Sequence, residues 1–238
     1  MVERRATALN ARSHHARKDP RSPVIDFIEF VIRRSDDMLE MGLGHAAVVG
    51  VSVLFASVIG IALGFLTYRH ERARDFVLAM SGAMLTIPSF ALFILLLGPL
   101  GLGAKPVVVA LTMYGLMPIV RNTVAGLNSV TPAVIESARG VGLNRWQRLL
   151  RIELPLAWPV IITGIRVTTL TLMGIAAIGA IVNGPGYGEF IFTGLARVGT
   201  PVAVNLVLAG TLGVVILAII FDALFYAVRR LTTSKGIR

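Results

Sequence analysis

From Ala46 to Tyr68 the chain runs for 23 residues without one charged side chain. Hydrocarbon offers no hydrogen-bond partners, so a stretch of this length reads as a helix crossing about 30 Å of bilayer. Four further apolar stretches follow. They are Phe76–Leu97, interrupted by Pro88; a short one at Pro106–Val120; Leu156–Val182, containing Arg166; and Pro201–Val228, containing Asp222. The expected fold class is therefore an all-α integral membrane protein with about five transmembrane helices. A composition of 55% hydrophobic and 15% charged residues agrees, since soluble domains carry about a quarter charged residues.

Charge distribution suggests how the spans are oriented. Arg69, Arg72 and Arg74 follow the first span, and Arg121, Arg139, Arg145, Arg148 and Arg151 follow the third. Arg229, Arg230, Lys235 and Arg238 follow the fifth, whereas the intervening loops hold only Lys105 and Arg197. The positive-inside rule makes the arginine-rich set cytoplasmic and puts the C-terminus inside. Five spans then put the N-terminus outside, against its own basic tail. The net charge of +10 thus records topology rather than nucleic-acid binding. Residues 1–23 form a polar, basic tail with a composition suited to disorder. Residues 24–45 mix Ile25, Ile28, Phe30 and Ile32 with acids and arginines, as in an interfacial amphipathic helix. A transmembrane domain is expected over 46–228, with a cytoplasmic loop at 121–155 and a cytoplasmic tail at 229–238. Asp26, Glu29, Arg33 and Arg34 interrupt the place where a signal peptide needs its apolar core, so no cleaved signal is expected.

The chain has no cysteine, which excludes disulfides and thiolate metal sites, and its four histidines lack metal-ligand spacing. The glycine-rich run Gly184–Gly188 is followed by no Lys-Ser/Thr pair, so it is not a phosphate loop. No cofactor, metal or catalytic residue is expected, and energy for any work must come from a partner.

The 121–155 loop has its own pattern. Thr131-Pro132 is a helix start, a hydroxyl cap followed by proline at the first helical position. Gly140 and Gly142 permit a stop and a tight turn. Asn144 can cap a second helix, with Gln147 completing a capping-box-like pair, and Pro155 is expected to end that helix at Leu154. Two short amphipathic helices with small residues at their junction can seat in a groove of a soluble partner. They equally suit a loop lying on the membrane surface.

Glu136-Ser137-Ala138, Gly142 and Ile152-Glu153-Leu154-Pro155 resemble the coupling loop of bacterial ABC importer permeases. That pattern is Glu-Ala-Ala, three residues, Gly, nine residues, then Ile-x-Leu-Pro; only Ser137 departs from it. The resemblance spans roughly 46–220 and points to the osmoprotectant (glycine betaine, carnitine, choline) branch. Thr86-Ile87-Pro88-Ser89-Phe90-Ala91 is similar to that branch's Thr-Ile-Pro-Ser-Leu-Ala, and Gly164-Ile165-Arg166 to its Gly-Ile-Arg. The run from Tyr114 to Thr123, including Pro118, Arg121 and Asn122, resembles its Tyr-x-Leu-Leu-Pro-Ile-x-Arg-Asn-Thr. Pro185 and Tyr187 depart from its outer glycine run.

The resemblance implies a type I ABC importer permease fold in the cell (inner) membrane, carrying a compatible solute. It implies as partners two ATPase subunits that bind the ATP, a second permease of the same or a homologous chain, and an extracytoplasmic binding protein. Glu136, Ser137, Ala138, Gly142, Ile152, Leu154 and Pro155 would then couple to the ATPase.

Candidate residues for the translocation pathway are Thr86, Pro88, Ser89, Tyr114, Asn122, Thr123 and Arg166. Pro88 removes a backbone donor inside a span, a break that suits a pathway kink or plain packing. Pro118, Asn122 and Thr123 read as a second polar break. Arg166 lies roughly 15 Å deep at 1.5 Å per residue, where a charge suits a gate element and a buried structural ion pair equally. Asp222 sits at a depth that permits a pair with it. Aromatic residues are few, at 7%, and no cage for a quaternary ammonium is visible. Selectivity is thus expected in the binding protein. Trp146 and Trp158 read as interface anchors. Cargo such as methionine or another small polar solute, a lipid-modifying membrane enzyme, and a scaffold without transport are the competing readings.

Overall fold

The computed structural model describes residues 23–233. The basic tail expected over 1–23 lies outside the described residues apart from Pro23, as do the last five residues of the 229–238 tail. Among the described residues, those up to Ser35 form one compact unit and those from Asp36 onward another. In the first, helix α1 (Pro23–Arg33) carries Asp26 in its first turn and Arg33 in its last, complementing the helix dipole. Arg33 pairs with Glu29 one turn away at 3.2 Å.

The second unit is helical throughout, with no strand among the described residues. Its first helix, α2 (Ser35–Thr67), begins before the expected Ala46: Asp36 and Asp37 favour its N-terminus, and no proline interrupts it. The expected amphipathic segment 24–45 therefore divides between α1 and the start of α2. Helices α3 (Glu71–Thr86) and α4 (Ser89–Leu100) meet at a 97° bend. The span expected over Phe76–Leu97 with an interruption at Pro88 is this broken pair, which extends from Glu71 to Leu100. Proline at 88 forces Ile87 into extended geometry (φ −72°, ψ 126°), so the helix cannot run through.

Helix α5 (Ala104–Asn128) corrects the expected short third span, running eight residues beyond Val120. Asn122 and Thr123 make no break because their side chains donate back to their own helix, to the Pro118 carbonyl at 2.8 Å and the Ile119 carbonyl at 2.8 Å. Then follow α6 (Pro132–Gly140), α7 (Arg145–Arg148), a π turn (Leu149–Glu153), α8 (Leu154–Ile178), a 3-10 turn (Gly179–Val182), α9 (Gly188–Ala196) and α10 (Pro201–Thr232). Among the described residues four helical stretches are long and apolar enough to cross a membrane, or five if the bent pair is one span.

Small residues set how the helices meet. Lipid tails are as apolar as leucine, so membrane helices associate through close packing. Ala56, Gly60 and Gly64 fall at successive four-residue steps on α2, and Gly115, Ile119 and Thr123 do the same on α5. The two rows interlock: a Cβ on Gly60 would lie 2.9 Å from Ile119 Cγ2, and one on Gly115 would lie 2.8 Å from the Ala56 Cβ. On its other side α5 packs extensively with α8. There Asn122 fills the notch at Gly164, and Gly126 admits the Ala157 carbonyl. Helices α2, α5 and α8 thus form one closely packed slab.

Candidate functional site: the inner coupling segment and the polar positions of the bundle

Between α5 and α8 the chain builds a short helical elbow. Thr131 is extended and precedes Pro132 in the first turn of α6, but its hydroxyl caps nothing, contrary to expectation. α6 ends at Gly140, and Gly142 adopts φ +86°, a conformation that disfavours any other residue. The expected capping box is present. The Asn144 side chain accepts from the Gln147 N–H at 2.8 Å, and Gln147 Oε1 accepts from the Asn144 N–H at 3.0 Å.

The second helix does not end at Leu154. It passes through the π turn, in which the Leu154 N–H reaches the Leu149 carbonyl, and continues as α8. Pro155 is tolerated because it falls in the first turn of the α-helical run, where a missing N–H costs little.

Of the candidate coupling residues, Glu136, Ser137 and Gly142 are exposed, while Ala138 is buried where the elbow closes. Ser137 donates to the Ala133 carbonyl at 2.8 Å, so its hydroxyl is absorbed by its own helix. Ala133, Val134, Ala138, Val141, Leu143 and Ile152 line an apolar groove of roughly 460 Å³. Val141 projects 82% exposed from the turn, and Trp146 is 66% exposed. Leu154 is half-buried and Pro155 exposed at the elbow's exit into α8.

Below the elbow lies a cluster that sequence reasoning did not find. Glu153 is fully buried. Its Oε1 accepts from Arg148 Nε at 2.8 Å and Arg69 Nη2 at 2.8 Å. Its Oε2 accepts from the Tyr68 hydroxyl at 2.8 Å and again from Arg69 Nη2 at 3.1 Å. No local pattern signals this contact, because Tyr68 and Glu153 stand 85 residues apart.

The candidate pathway residues fall into three places. Thr86, Pro88 and Ser89 sit at the bend between α3 and α4. Thr86 donates to the Ala83 carbonyl, and Tyr114 from α5 donates 2.7 Å to the Ile87 carbonyl that the bend would otherwise orphan. Tyr114 is therefore brought to Pro88. Asn122 and Thr123 are packed in the seams of α5 instead, Thr123 fully buried against Gly64. Arg166 stands apart in mid-α8 and forms a two-pronged pair with Asp222 of α10, at 2.6 and 2.7 Å. Each side chain of that pair is about a third exposed (33% and 34%). Trp158, expected at the interface, donates to Thr232 at 2.8 Å.

Residues 56–234 match the family model described as binding-protein-dependent transport system inner membrane component. The chain belongs to that family. As a member it is a transport permease rather than an enzyme, and a multi-pass membrane protein. ABC importers of this family work in general with an ATPase, a substrate-binding protein and a second permease. Among its relatives, the osmoprotectant import permease protein OsmW of Salmonella typhimurium is 36% identical over 220 residues, covering 90% of this chain and all of OsmW. The glycine betaine/carnitine/choline transport system permease proteins OpuCB and OpuCD of Bacillus subtilis are 32% and 39% identical. Those matches cover 82% and 71% of this chain, and 88% and 73% of the respective relatives. In structure the permease is similar to a chain of the inward-facing MetNI methionine ABC transporter, with a TM-score of 0.73. That likeness covers 83% of this chain and 96% of the other at 22% identity, and it shows the type I importer fold alone.

Proposed function

We propose that this permease carries compatible solutes of the glycine betaine, choline and carnitine kind, driven by ATP that a partner ATPase binds and hydrolyses. The observation that carries the cargo is the 36% identity with an osmoprotectant permease along its whole length. The methionine alternative has only a likeness of fold behind it.

The elbow at 132–155 supports the coupling role. Glu136, Ser137 and Gly142 offer a polar, exposed edge, Val141 an apolar knob, and Ile152 part of an apolar groove, the ingredients of helix-in-groove docking. Leu154 and Pro155 then lead directly into α8, so displacement of the elbow becomes displacement of a membrane helix. Closure of the ATPase pair would rock the bundle from inward-facing to outward-facing, a two-state change biased by nucleotide. The binding protein would deliver solute to the outward state.

The Arg166–Asp222 pair supports placing the pathway beside α8. A charge pair a third exposed at mid-span is too costly to face lipid, and must face protein or water. The exposed Thr163 and Thr171 on the same stretch of α8 suit that surface. Thr86, Pro88, Ser89 and Tyr114 would shape the pathway at the bend, and Asn122 and Thr123 would hold the helices that border it.

The deciding measurement is uptake of labelled betaine, choline and carnitine, each competed by the others, by proteoliposomes holding the complete complex. ATP-dependent uptake of at least one is expected. Absence of ATP-dependent flux of any solute would end the transporter reading, and flux of methionine alone would replace the cargo.

A further inference from the structure

We infer that the buried cluster of Tyr68, Arg69, Arg148 and Glu153 is a mechanical joint that makes the coupling elbow drive α2 and α8 together. This inference rests on the reading of 132–155 as the segment that an ATPase moves. Covalently the elbow is continuous with α5 through residues 129–131 and with α8 through the π turn, but not with α2. Tyr68 and Arg69 belong to the opposite side of the slab, where the chain leaves α2. The Tyr68 N–H still bonds the Gly64 carbonyl at 2.9 Å, so its ring moves with that helix. Arg148 belongs to the elbow helix itself. Glu153 alone accepts from both sides.

The chemistry makes this contact unusually selective for one arrangement. Both carboxylate oxygens are occupied: Oε1 by two guanidinium donors, and Oε2 by the phenol and Arg69. A buried acid facing two arginines is costly to pull apart, because either side would be left desolvated without its counter-charge. The Arg69 guanidinium also lies 5.0 Å above the Tyr68 ring, which fixes its approach.

The π turn contributes the aim. Its wider bond, from the Leu154 N–H to the Leu149 carbonyl, accommodates one residue more than an α turn. One residue rotates a helix by about 100°, enough to decide whether Glu153 faces α2 or its far side. π turns of this kind recur at functional positions. Helices α2 and α8 also grip α5 from either side at Gly64 and Gly164. A stroke entering at Glu153 is therefore delivered to the whole slab, leaving the bend at Pro88 to absorb relative motion.

The test uses the complete complex in proteoliposomes and reads solute transported per ATP hydrolysed. Glu153→Gln is expected to lower that ratio by about tenfold, with ATP hydrolysis continuing. Glu153→Asp, which keeps the charge, is expected to recover part of it. A purely architectural role would instead reduce assembled complex, hydrolysis and uptake in parallel. An unchanged ratio in assembled Glu153→Gln complex overturns the joint. If that variant does not assemble, Tyr68→Phe, which removes one hydroxyl, decides it: a lowered ratio supports the joint and a wild-type ratio overturns it. The chain has no native cysteine, so Val141→Cys reports separately on docking. A crosslink from it to an ATPase subunit keeps the coupling reading whatever the ratio shows. No crosslink in an assembled, transporting complex removes the reading on which the joint rests.

Discussion

The two charge clusters of this permease differ in kind. Glu153 is sealed from solvent and held by three residues from two parts of the chain. Arg166 and Asp222 pair only with each other, by two bonds, and each remains a third exposed at mid-span. A closed cluster has one low-energy arrangement and transmits displacement, whereas an open pair can exchange partners with water or solute. Rigidity and responsiveness are thus built into separate places in one bundle.

The largest expected effect comes from opening the closed cluster. Glu153→Ala leaves two arginines without their acceptor, and loss of one member of a buried pair costs about 3–5 kcal/mol. Thermal unfolding of the purified complex checks this, and a shift worth less than about 1 kcal/mol would mean the site is wetter than its geometry implies. Next is the seam beside it. A Cβ at Gly64 would come 2.5 Å from Thr123 Cγ2, so Gly64→Val is expected to destabilise by about 1–3 kcal/mol through overpacking. Gly140→Ala meets open space and is the matched control; equal losses in both would refute the seam.

The open pair should behave differently. Arg166→Ala is expected to lower uptake by about tenfold, since it strands Asp222 within the span. Because the remaining charge is the damaging element, Arg166→Ala with Asp222→Ala should recover part of the flux. A double variant as poor as the single one would show that the guanidinium itself contacts solute, and wild-type uptake in the single variant would remove Arg166 from the pathway. The smallest effect is expected from Tyr114→Phe, which frees the Ile87 carbonyl at the bend. One lost hydrogen bond is worth about 1 kcal/mol, read as a small fall in unfolding temperature. No fall would mean that water already serves that carbonyl.

Several features were legible in local pattern. Proline at 88 marked the break, because it lacks a donor and restricts the residue before it. Asn144 and Gln147 announced their capping box through a three-residue offset. Asn122 and Thr123 misled for a stated reason: polar side chains can bond their own helix one turn back, so they need not mark its end. Pro155 misled likewise, since a proline that ends one helix can equally start another.

By itself the amino-acid order determined the class of molecule, the number of apolar stretches and the elbow between two of them. Each depends on neighbours within a few turns: hydropathy over some twenty residues, and glycines and caps at short offsets. Packing of the folded chain brings Tyr68 and Arg69 to Glu153, pairs Arg166 with Asp222, and sets α2 and α8 on either side of α5. The charge contacts join residues 56 to 85 positions apart, and the helix seams are set by which small residues let two helices approach. Such close packing is a property of surfaces already folded, and no window along the chain contains it.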